Sequence, residues 1–204
     1  AWGRFTQALE SVAVVPTGYV VGVSRLTHKM EILALPKAAV DRAHAPEAVP
    51  FSVLKCGQGT REGLLSAPVA VAVRDATILV LETGNARIQA FDVSANPVPV
   101  FRNGTSATVE LEKAAELEYL DLGVEALGYM YVLSAANGGL AIDDYRLDVF
   151  TPQGNLLART TGVVAARLAV DTFRNVYTLN FATLAGLSRV EPSLSQWVPS
   201  TPQT

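Results

Sequence analysis

Three side chains in this sequence belong to the nitrogen and sulfur donors that hold zinc: His28, His44 and Cys56. A zinc enzyme gathers three or four His, Cys or carboxylate ligands, and these three lie far apart in the chain. His28 reads as a hairpin-turn residue and His44 as a loop residue, both solvated. Ser–His catalysis needs a histidine oriented by a carboxylate, and no Gly-x-Ser-x-Gly run occurs. Cys56-Gly57-Gln58-Gly59-Thr60 has the glycines of a phosphate-cradling loop but no Lys at the required spacing, so it predicts a plain turn. Asn137-Gly138-Gly139 and Asp143-Asp144 flank a loop of the kind that can bind Ca²⁺, though a solvated hairpin is the commoner use. Asn103-Gly104-Thr105 has the spacing of a glycosylation acceptor and reads as a turn.

The elements that would position any site follow from a repeat. Pro68 to Asp92 holds an apolar run (Val69 to Val73), a polar break at Arg74 and Asp75, and a second run (Ile78 to Leu81). A turn follows at Thr83, Gly84 and Asn85, then a segment, Arg87 to Phe91, that alternates with the period of a strand. Gly84 and Asn85 are the types that tolerate the positive φ of a tight hairpin. The same order recurs at residues 12–35, 119–150 and 167–180, with Ser193 to Val198 as a further strand. Aligned on Val21, Val80, Val132 and Thr178, the periods are 59, 52 and 46 residues, the lengths of propeller blades with variable loops.

The expected fold is therefore all-β: a β-propeller with about four four-stranded blades, near residues 8–55, 64–111, 118–160 and 163–198. Outer strands are expected at Phe51–Lys55, at Val98–Arg102 or Thr108–Leu111, and at Leu156–Thr160. Trp2–Gln7 is the candidate closing strand for the last blade, which would make a small closed ring; the rival is that the blades belong to a larger ring. Residues 36–50 read as a long loop, residues 109–118 as a strand followed by a turn at Lys113–Ala115, and 199–204 as a linker-like tail. Trp2, Trp197, Tyr119, Tyr129 and Phe173 are expected to pack between sheets.

Composition bounds the rest. Of 204 residues 50% are hydrophobic and 17% charged, enough apolar content for a packed core. The net charge of −3 argues against nucleic acid, whose binders carry a basic excess. One cysteine cannot form an internal disulfide, and no run reaches the roughly 18 apolar residues of a membrane span. No signal peptide is visible. Arg outnumbers Lys 12 to 4, which together with the Ala-rich composition points to a bacterial source. The compartment is not legible.

Pro68, Glu82, Thr83, Gly84, Asn85, Arg87, Ile88, Gln89, Phe91 and Asp92 resemble the NHL repeat, and Tyr131, Val132, Arg146, Val149, Phe150 and Gly154 follow it more loosely. Glu82 stands where that pattern has Asp, and Arg74 where it has an acidic residue. The resemblance implies a propeller that binds proteins or RNA, scaffolds an assembly or, in a few members, catalyses. Related lactonase and esterase propellers hold an axial metal on polar residues of the innermost strands. The positions implied here are Glu10, Val69, Asp121 and Ala166, so Glu10 and Asp121 are the candidate axial ligands, with Ca²⁺ as the candidate ion. The reading that follows is a non-catalytic protein-binding or scaffolding module with no catalytic residues and no required cofactor, its partners other protein subunits or domains. The alternative is a metal-dependent lactonase- or esterase-like hydrolase.

Overall fold

Alternating apolar runs separated by short turns build four antiparallel meanders in the computed structural model. It describes residues 5, 7–34, 52–55, 57–136, 138, 139, 141–171, 174–183 and 190–197; side chains are described up to Leu179, those of residues 52–55 excepted. The contacts divide the chain into two units, Ala1–Glu112 and Lys113–Thr204.

The first unit holds two four-stranded sheets. One runs β1 (Ser11–Val15), β2 (Tyr19–Ser24), β3 (Lys29–Ala34) and β4 (Ser52–Lys55), in that spatial order. The other runs β5 (Pro68–Arg74), β6 (Thr77–Glu82), β7 (Arg87–Phe91) and β8 (Thr108–Glu110). Thr108–Glu110 supplies the outer strand, and Val98–Arg102 does not. Pro97 and Pro99 remove ladder donors there, leaving isolated bridges from Phe91 to Pro97 and from Phe101 to Ser106.

In the second unit, β9 (Leu117–Val124), β10 (Met130–Ala136), β11 (Tyr145–Phe150) and β12 (Leu156–Thr161) form a four-stranded sheet. The last sheet has three strands among the described residues: β13 (Arg167–Val170), β14 (Val176–Thr183) and β15 (Val190–Trp197). Four four-stranded blades were expected. The closing strand assigned to Trp2–Gln7 falls largely outside the described residues, as do residues 36–50 and the tail at 199–204. Residues 109–118 form no helix; the strand ends at Glu110 and the turn sits at Ala115 and Glu116.

The hairpins show where local chemistry decides the turn. Asp75, in the two-residue turn between β5 and β6, takes φ 55°, a conformation that Asp tolerates. In the turn after β6 the left-handed residue is Ala86, at φ 49°, and not Gly84 or Asn85. Gly84 is needed for close approach instead: a Cβ there would stand 2.9 Å from the Ser66 carbonyl oxygen.

In the first unit an apolar cluster joins Val21, Val23, Met30 and Ile32 of the first sheet to Val71, Ile78, Val80 and Phe91 of the second. In the second unit Tyr131, Leu147 and Val149 pack with Val176, Leu168 and Val170. Each fully buried aliphatic side chain contributes about 1.5–3 kcal/mol, so these sheet-to-sheet contacts hold each pair together.

Candidate functional site

Three of the residues that carry the NHL resemblance, Asn85, Arg87 and Gln89, converge on a fourth, the buried carboxylate of Glu82. Glu82 ends β6 opposite Arg87, the first residue of β7. Glu82 Oε1 accepts from Arg87 Nε at 2.7 Å and from Gln89 Nε2 at 3.3 Å. Its Oε2 accepts from the Ser66 N–H and from Asn85 Nδ2, both at 2.7 Å. A carboxylate has about four acceptor directions, and these bonds fill them. Burial raises the Glu82 carboxyl above its ordinary value, while Arg87, the Ser66 N–H and Asn85 pull it back.

The outer ends of the same side chains clamp the preceding loop. Arg87 donates to the carbonyls of Thr60 and Leu64 at 2.7 Å and of Arg61 at 3.2 Å. Asn85 donates to the Gly59 carbonyl, and Gln89 Oε1 accepts from the Gly63 N–H. The segment Cys56–Thr60, expected to be a plain turn, is over its described residues the rim of a loop tied to the blade through the motif. Asp92 caps its own turn by accepting from the Ser94 and Asn96 N–H groups.

Cross-strand registers reveal the counterpart in other blades. Val71, Val80, Gln89 and Thr108 form one row, and Leu122, Val132, Asp148 and Arg159 form the matching row. Arg146 and Ser134 then occupy the places of Arg87 and Glu82. Arg146 Nε donates to Ser134 Oγ at 3.1 Å, and Arg159 grips buried Asp148 through two bonds of 2.7 and 3.0 Å. The acid has moved from the second strand to the third and keeps its Arg. In the first blade the row is Val12, Gly22, Glu31 and Leu54, again with a buried acid.

Asp121 is buried on the inner strand β9. Its Oδ1 accepts from the Leu122 N–H at 3.0 Å, and its Oδ2 from the Leu168 N–H at 2.8 Å on the next inner strand. Ser11 does the same in the first unit: its Oγ accepts from the Val71 N–H at 3.2 Å. Ser11 and Asp121 are therefore equivalent. Glu10 lies one residue out of that register, is exposed, and extends the ladder with its N–H to the Val23 carbonyl. By the same register Ala70 and Arg167, rather than Val69 and Ala166, stand level with Asp121. Glu10 belongs to the first unit and Asp121 to the second.

Burial raises the Asp121 carboxyl above the ordinary value of 3.8, against the two N–H bonds and Arg167. The folded state then holds this proton more tightly than the unfolded chain. The contribution of Asp121 to stability is fully present below the ordinary aspartate range and is lost as pH rises through the raised folded value. Urea unfolding of wild type and Asp121→Asn at several pH values should show the wild type losing stability relative to the variant as pH rises above the ordinary aspartate value of 3.8. A relative gain over that range would mean that the latch favours the ionised acid.

His28 is half-buried rather than solvated: Nδ1 accepts from the Ala67 N–H at 2.8 Å, tying the hairpin after β2 to the start of β5. Asp144 caps its own 3-10 turn, Ile142–Asp144, through the Ala141 N–H. Asn103 sits in a turn at φ 58°, with Thr105 Oγ1 donating to the Arg102 carbonyl. Tyr119 is buried, and Tyr129 lies under the Arg174 guanidinium at 4.9 Å. His44, Cys56, Asn137, Phe173 and Trp2 are outside the described residues, as is the Trp197 side chain. Among the described residues no group of three or more His, Cys, Asp or Glu gathers to hold a metal, and no helix is long and apolar enough to cross a membrane.

The sheets, their stacking and the similarity to solved structures define the class: this chain is an all-β protein built of β-propeller blades. It is similar in fold to hydrazine synthase of Kuenenia stuttgartiensis, at 10% identity and a TM-score of 0.57, over 94% of this chain and 49% of that one. A protein of unknown function from Bacteroides caccae matches at 10% identity and a TM-score of 0.52, over 91% of this chain and 60% of that one. A chain of a nidogen/laminin complex matches at 13% identity and a TM-score of 0.48, over 83% of this chain and 54% of that one. The chain thus spans about half the length of these structures. No family model and no curated protein matches the sequence.

Proposed function

We propose that this chain is a non-catalytic, NHL-like propeller module that binds other proteins as part of a larger assembly. The observation that carries the reading is the engagement of Glu82: the acid at the centre of the NHL-like motif is buried, and its four bonds are internal. A catalytic carboxylate must reach a substrate proton or atom, and this one reaches its own blade. Asp121, the inner-strand acid, likewise joins two strands. Within each unit, packed sheets that carry loops suit docking.

Metal content tests the reading. The protein purified without chelator should carry no stoichiometric Ca²⁺ or zinc by inductively coupled plasma mass spectrometry. One tightly held ion per chain, lost in Asp121→Ala, would favour the metal-dependent hydrolase instead.

A further inference from the structure

The four inner strands share a signature that the registers bring into line: Ser11-Val12-Ala13-Val14, Ala70-Val71-Ala72-Val73, Asp121-Leu122-Gly123-Val124 and Arg167-Leu168-Ala169-Val170. Successive strand residues point to opposite faces. The first and third residues of each signature share one face, with a small residue in third place. The second and fourth share the other and are apolar in every blade.

Two internal junctions show how these faces meet. In the first unit Ser11 accepts from the Val71 N–H, and Ala13 packs in the cluster with Val71 and Val73. In the second unit Asp121 accepts from the Leu168 N–H, and a Cβ at Gly123 would stand 2.5 Å from Leu168 Cδ1 and 2.6 Å from Val170 Cγ2. The rule is the same: the first-and-third face of one blade receives the second-and-fourth face of the next.

Each half of that junction is also found uncovered. Val12 and Val14, the second-and-fourth pair of the first blade, are 51% and 62% exposed, whereas Val71 at the equivalent place is 5% exposed. Arg167 and Ala169, the first-and-third pair of the last blade, are exposed too. Glu10 lies two residues before Val12, just outside the start of β1, and is exposed. Arg167 cannot accept the N–H bond that Ser11 and Asp121 accept, since a guanidinium has no acceptor. It can pair with a carboxylate, and Glu10 is placed to supply one.

We propose that the Val12–Val14 face of one copy of this chain docks head to tail on the Arg167–Ala169 face of a second copy, with Arg167 paired to Glu10. The proposal deepens the binding-module reading by naming a partner, and rests on it. The argument is continuity with the two internal junctions plus charge complementarity at the place where the latch changes from acceptor to cation. A head-to-tail contact closes into a ring or extends, according to its rotation.

Sedimentation velocity of the purified chain up to about 100 μM, a range that detects weak transient contacts, tests it. The chain should self-associate, and Val14→Lys and Arg167→Glu should each weaken association by about tenfold or more. Both positions are exposed, so the variants should keep the wild-type circular dichroism. Glu10→Arg combined with Arg167→Glu should recover association that Arg167→Glu alone loses. A chain that stays monomeric, or association that neither variant weakens, overturns the proposal. A monomer free of metal would remove the second copy as partner and leave the binding-module reading standing.

Discussion

Glu82→Leu is expected to destabilise the protein by about 3–5 kcal/mol, because it leaves the Arg87 guanidinium buried without its carboxylate. Arg87 is almost fully buried beside fully buried Glu82. The variant also strands the Ser66 N–H and takes one of two acceptors from Asn85 Nδ2 and Gln89 Nε2. A buried donor left unmade costs about 1–3 kcal/mol where no other partner is in reach. Asn85 and Gln89 keep their bonds to loop carbonyls, so the charge term dominates. The double variant Glu82→Leu with Arg87→Leu should cost less than the sum of the singles, since it removes the pair instead of half of it. Guanidinium unfolding midpoints at constant m-value give the comparison. Additive losses would show that the two residues act independently and that the motif is not one clamp.

Gly123→Val is expected to cost about 1–3 kcal/mol by overpacking the inner-strand junction. The new Cβ would fall within 2.6 Å of atoms on both Leu168 and Val170. Leu168 can shift a methyl group by rotation, but Val170 is β-branched and stiff, so the branched variant should cost more than Gly123→Ala. The equivalent places hold Ala13, Ala72 and Ala169, which sets alanine as the size that this junction accommodates elsewhere. Thermal unfolding of the two variants should rank Gly123→Val below Gly123→Ala and both below wild type. Equal midpoints for all three would mean that the junction yields without strain.

Much of the fold was legible because its signals are local. Alternation and turn residues mark β5, β6 and β7, and the ladder from Val80 to Gln89 follows the expected strands. The motif residues were legible as well, but the sequence could not say that they face inward and hold residues 59–66. That depends on which loop lies over the strand, a contact across 16 to 27 residues. The axial candidates are offset from one another by one residue in register. Alignment on Val21 is one residue out, because Gly22 is the residue level with Val80 and Val132. The hairpin between β1 and β2 carries three residues where that between β5 and β6 carries two. Register shifts between Pro68 and Ala70 and between Leu133 and Ser134 displace the inner strands further, as bulges do. The inner-strand signature was present in the sequence, but alanine, glycine, valine and leucine at period two are too common to stand out without the pairing.

On the proposed reading, Glu82 and Asp121 hold the blades together and do not act on a substrate. The most direct measurement is hydrolysis of a panel of aliphatic and aryl esters and lactones by the purified protein, with and without added Ca²⁺ and zinc. The expected result is a rate equal to the buffer control under every condition. Metal-dependent turnover that survives repurification and is abolished in Asp121→Asn, with the fold intact by circular dichroism, would contradict it.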